Sequence, residues 1–229
     1  MSVQNILLLL AGLINLTMSI LVFSRGVKHN KINFYFSLLT FFNFLWALNL
    51  IVINLGINYE LTRFMASLVY PVALMIVVIL FYFIIHFPYK LLEIPKIYKL
   101  FINLSILFYS IFCIFFYQIF VWKVSLGPKV IIYYEFISYS IYTFILIILM
   151  LAGIVILFLK LKKAEAAFKQ QLCLVLLAVI IGTVMGSYSN LFLMYFHNLD
   201  YNHFGPLFTL VINFIAFYLI FLKGKINNK

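Results

Sequence analysis

With 67% hydrophobic and only 9% charged side chains over 229 residues, the chain has too little charge for a surface dissolved in water. A net charge of +11 would point to nucleic acid in a soluble protein. Here the basic residues stand at the ends of long apolar runs, so lipid headgroups are the expected partner and nucleic acid is not. Small and polar residues punctuate those runs at helical rather than two-residue spacing. That excludes a barrel and predicts an all-α integral membrane bundle.

A span needs about 20 apolar residues. Seven segments qualify, at roughly residues 3–24, 32–56, 61–87, 97–122, 134–159, 168–196 and 204–222, and the short loops between them predict one domain over the whole chain. The first segment lacks a basic flank and is longer than a leader's apolar core, so it reads as a span. Orientation follows from lysine and arginine. Arg25, Lys28, Lys31, Lys90, Lys96, Lys99, Lys160, Lys162, Lys163, Lys169, Lys223, Lys225 and Lys229 fall on one side, and only Arg63, Lys123 and Lys129 on the other. The positive-inside rule then places the N-terminus outside, the C-terminus in the cytoplasm and the protein in the inner, cytoplasmic membrane as a multi-pass chain. Trp122, Tyr133, Tyr134, Tyr195 and Tyr201 fit the outer interface. Cys113 and Cys173 lie inside apolar segments and read as buried small hydrophobes.

In chain order, the second span places Asn43, Trp46 and Asn49 within a third of its circumference. Together with Tyr70, Tyr139, Tyr142, Asn190 and Asn213 they are candidates to line a small ligand pocket opening outward. The same asparagines also suit interhelical hydrogen bonding, worth about 0.6 kcal/mol each. Pro71 is expected to kink the third span beside a cavity. Glu135 opens the fifth span, where the helix dipole favours a carboxylate. The basic turn from Lys160 to Lys169 is expected to face anionic lipid. In the sixth span Ala178, Gly182, Gly186 and Asn190 share one face, and Gly182 and Gly186 form a GxxxG pair expected to admit the seventh span, with its Thr209, Asn213 and Ala216, or a second copy of the chain. The following loop gathers His197, Asp200 and His203, residue types that ligate divalent metal, without the regular spacing that fixes a site. No acidic or basic residue falls in the middle of a span, and no nucleophile, zinc or nucleotide motif occurs. Neither catalysis nor a cofactor is therefore expected.

The order of several short motifs resembles the seven-helix N-terminal membrane region that precedes many bacterial histidine kinases and some diguanylate cyclases. These are Leu45-Trp46-Ala47-Leu48, Phe87-Pro88, the run Gly182, Gly186, Asn190, the opening Gly205-Pro206-Leu207-Phe208-Thr209, and the closing Ala216-Phe217-Tyr218-Leu219-Ile220. The resemblance implies a sensor or receptor module. It would detect a small ligand or the state of the membrane and move its last helix, with Gly205 and Pro206 setting a hinge. Only Lys223–Lys229 follow that helix here, so the expected output runs through a separate cytoplasmic kinase or cyclase, or through a domain cut away from a longer chain. The reading from another class is an accessory or structural subunit of a membrane transport or export complex.

Overall fold

The computed structural model describes residues 2–221 except 29, 92, 94, 128 and 198. Six helices are long and apolar enough to cross a membrane: α1 Val3–Ser24, α2 Lys31–Leu55, α3 Tyr59–His86, α4 Lys96–Phe115, α6 Phe136–Lys163 and α7 Ala166–Tyr195. A short α5, Tyr117–Phe120, follows α4, and the last helix, α8, runs Phe204–Phe221. Residue 222, where the seventh expected span ends, lies outside the described residues, as do Lys223, Lys225 and Lys229.

Local chemistry sets the helix starts. Ser2 accepts from Asn5 N–H, Asn30 from Ile32 and Asn33, Asn58 from Leu61, and Glu135 from Ile137 and Ser138. Each cap satisfies an amide that the first turn leaves without a partner. Gly56 ends α2 in the left-handed conformation at φ 55°, which a residue without a Cβ adopts freely.

Helices α1, α2, α3, α6, α7 and α8 close a ring in which each packs on the next and α8 returns to α1 and α2. The middle of α3 is the most buried stretch of any span. It stays helical through Pro71, and that proline lines an apolar groove of about 570 Å³ between α3 and α4. Helix α4 stands outside the ring against α3 and is nearly all exposed.

Three expectations are corrected. The fourth span stops at Phe115. The stretch read as its end, and the start of the fifth, form an antiparallel hairpin of β1 Val121–Ser125 and β2 Ile131–Tyr134. This end of the molecule is the hairpin end below; the other is the lysine end. Arg63 holds the hairpin, with Nε donating to Val121 O at 2.5 Å and a guanidinium nitrogen to Gln118 O at 2.9 Å. Cys113 is buried as expected, but Cys173 is exposed on α7.

The third correction concerns Lys160, which does not face lipid headgroups. It is fully buried, and its Nζ donates to the carbonyls of Ile84, Ile85, Phe87 and Tyr89 at 2.7–2.8 Å. The last carbonyls of α3 have no partner within their own helix and carry the negative end of its dipole. A buried ammonium needs such acceptors, so the two requirements meet at this lysine.

Candidate functional site

The ring encloses a cavity of about 50 Å³ lined by Trp46 of α2, Ala73, Ile76 and Val77 of α3, Tyr142 of α6, Gly182, Gly186 and Asn190 of α7, and Thr209 of α8. Five helices thus meet at one small space. Trp46, Tyr142 and Asn190, three of the eight residues expected to line a ligand pocket, share it. Both GxxxG glycines are there as well.

The cavity borders the place where α8 begins. The Asn190 amide, oriented to satisfy both its atoms, accepts from Gly205 N–H at 3.1 Å and from Ser189 Oγ at 2.7 Å, and donates to Asn202 O at 3.1 Å. Gly205 is buried against it. A Cβ at residue 205 would collide with the end of the Asn190 amide and lie 2.6 Å from Trp46 Cη2. The backbone of α8 can come this close to Asn190 and Trp46 only because residue 205 has no side chain. Pro206 follows in the first turn, where its missing N–H removes no helical bond, and Thr209 Oγ1 returns a hydrogen bond to Pro206 O at 2.8 Å. Gly205 and Pro206 are therefore a packed helix start.

The two glycines of α7 differ. At Gly182 a Cβ would meet Ile212 Cδ1 of α8 at 2.6 Å, whereas at Gly186 it would meet nothing within 4 Å. The close contact with α8 is made at Gly182, and Gly186 opens onto the cavity.

Asn49, Tyr70 and Asn213, also candidates for ligand contact, do not line this space. Asn213 donates to Asn15 at 2.7 Å, tying α8 to α1 as interhelical glue. Tyr70 is buried in an aromatic cluster under the hairpin, its ring centroid 4.8 Å from Tyr142 and 5.6 Å from Tyr134. Asn49 is buried on α2 away from the cavity. Trp46 is 6% exposed. Among the described residues its indole N–H meets no acceptor, nor does the Tyr70 hydroxyl meet a partner. An unmet buried donor costs about 1–3 kcal/mol.

In α7 the helix widens into a π turn at Tyr188–Phe192, a local form that recurs at functional sites. Tyr139 Oη donates to Leu191 O at 2.6 Å, bracing that turn from α6. An open groove of about 670 Å³ runs between α6 and α7, and Ser187 and Leu191 line both the groove and the cavity. No residue-level signal marks the π turn.

Among the described residues no group of three His, Cys, Asp or Glu side chains is placed to hold an ion, in the histidine–aspartate loop or elsewhere. The loop serves as a dock for the hairpin instead. His197 Nδ1 lies 2.9 Å from Ile132 O and its ring packs on Tyr133. Asp200 pairs with Lys129 at 2.5 Å. His203 is buried beside Phe204, and burial lowers its pKa, so the neutral ring is favoured. Asn202 donates to Asn54 Oδ1 at 2.9 Å, and Asn54 to Asn5 Oδ1 at 3.1 Å. Amides thus join α1, α2, this loop and α7.

No family model matches the chain, and no curated protein matches it in sequence.

Proposed function

We propose that the protein is a membrane-embedded sensor in which a small occupant of the ring cavity sets the pose of α8, and α8 passes that pose to a cytoplasmic signalling protein of the kinase or cyclase kind. The supporting observation is the junction at Gly205. Trp46 and Asn190 contact both the cavity and the start of the last helix, so an occupant that shifts either residue meets the backbone of α8 directly. The small, mostly apolar space favours a compact ligand over a large one. In this reading the helices span the inner membrane with the hairpin end outside, α8 supplies the seventh crossing, and the lysine end meets the cytoplasm. A few kcal/mol of differential affinity is enough to switch a helix between two poses.

The test is purification of the intact chain from native membranes in mild detergent, with the co-purifying proteins identified by mass spectrometry. Stoichiometric recovery of a cytoplasmic kinase or cyclase, altered by Gly186→Leu, is the expected result. Stoichiometric transport or export subunits would overturn it in favour of an accessory subunit. The exposed flank of α4 would then be the first place to look for that contact.

A further inference from the structure

The hairpin end carries a second pocket, separate from the ring cavity and different in kind. It measures about 320 Å³ and is lined mainly by polar groups, among them Ser2, Gln4, Asn54, Lys129 and Asp200. Four parts of the chain build it: the start of α1, the end of α2, the hairpin turn and the loop before α8. Among the described residues its charged side chains are Lys129 and Asp200, paired with each other at 2.5 Å and both solvent-exposed. Gln4 Nε2 is fixed nearby by a hydrogen bond to Asp200 O at 2.8 Å.

We propose that this pocket binds a small zwitterion carrying one carboxylate and one ammonium, such as a neutral amino acid. The lining is charge-balanced, so a solute of single charge would leave one member of the Lys129–Asp200 pair without its counterpart. A zwitterion leaves none: its carboxylate meets Lys129, its ammonium meets Asp200, and one exposed ion pair is exchanged for two. Exposed pairs are weak, so the existing one separates readily. The amides of Gln4 and Asn54 supply the neutral donors and acceptors that orient a small solute.

The pocket is wired to the ring cavity. Asn54 lines the pocket and accepts from Asn202 Nδ2; Asn202 O accepts from the Asn190 amide; the Asn190 oxygen accepts from Gly205 N–H. Three asparagines thus lead from the zwitterion site to the start of α8 and to Trp46. The binding claim stands apart from the sensor reading, while the relay rests on it.

Trp46 provides the readout, because Trp122 is the only other tryptophan. The Trp122→Phe full-length chain in lipid nanodiscs is titrated with glycine, alanine and serine, and with the corresponding amino amides and hydroxy acids, each of which lacks one charge. Calorimetry should show saturable binding of at least one zwitterion. Its single-charge analogues should bind about tenfold more weakly, as should the zwitterion itself to Lys129→Gln and Asp200→Asn. Trp46 emission should change with the same midpoint. Asn202→Ala should keep the calorimetric binding and lose the emission change; Asn190→Ala serves the same purpose if the first variant does not insert. No saturable binding by any of the three zwitterions, equal binding of the analogues, or binding indifferent to both charge variants would overturn the site. Binding with a silent Trp46 would overturn the relay and leave the site standing.

Discussion

Gly205 carries the junction between the cavity and the last helix. An added methyl would collide with the end of the Asn190 amide and meet the Trp46 ring at 2.6 Å, and Asn190 is pinned by three hydrogen bonds. Gly205→Ala should therefore cost about 1–3 kcal/mol, the range for forcing atoms into a packed core. Gly186→Ala should stay within about 0.5 kcal/mol because its methyl enters open space. Thermal unfolding of the two variants in one detergent checks the contrast, and equal losses would contradict it. Lys160 is the other residue whose neighbours decide its role. Lys160→Met removes the donor from four carbonyls, and a loss of about 3 kcal/mol is expected in the same assay. Lys160→Arg should not restore it, since a planar guanidinium does not fit acceptors converging on one point. Trp46, Asn190 and Gly182 were legible in the sequence, as polar or small residues on apolar helices that must find partners. Lys160 was not. A lysine at the end of a span normally runs outward to the headgroups, and the carbonyls that turn this one inward come from α3, more than seventy residues earlier.

At the scale of elements, Glu135 shows how a single side chain starts a helix. Its carboxylate accepts from Ser138 N–H and Ile137 N–H, and those bonds hold its pKa below the ordinary carboxyl value. A depressed folded-state pKa means the stabilisation is complete above the unfolded carboxyl range and is lost as pH falls through the folded value. Glu135→Ala should lower stability by about 1 kcal/mol at neutral pH. The gap between variant and wild type in unfolding temperature should close as the pH is taken below the carboxyl range; a gap unchanged at acid pH would contradict the capping role. The position of this cap was readable from the sequence. The hairpin just before it was not, although its signal was present: β-branched and aromatic residues in 121–125 and 131–134 flank a Gly-Pro pair in the sequence. Trp122 and the paired tyrosines fit an interfacial belt equally well, and that pattern masked the strand signal. The π turn of α7 had no such signal, since its bracing partner Tyr139 comes from another helix.

At the scale of the molecule, the apolar content dictated a helical bundle, but the closing of the ring depends on α8 returning to α1 and α2. Composition cannot encode that return; the matched asparagines Asn15 and Asn213, far apart in sequence, help to specify it. The account's central claim is that the contents of the ring cavity set the pose of α8. The most direct test uses Gly186→Leu as a tethered occupant, because residue 186 opens onto the cavity and meets no packed neighbour. Spin labels at the exposed positions Phe34 of α2 and Tyr218 of α8 report their separation toward the lysine end. Cys173 is replaced by serine, and buried Cys113 is left in place. In lipid nanodiscs, a displaced distance distribution in Gly186→Leu relative to Gly186→Ala is the expected result. Coincident distributions in a folded Gly186→Leu protein would contradict the claim.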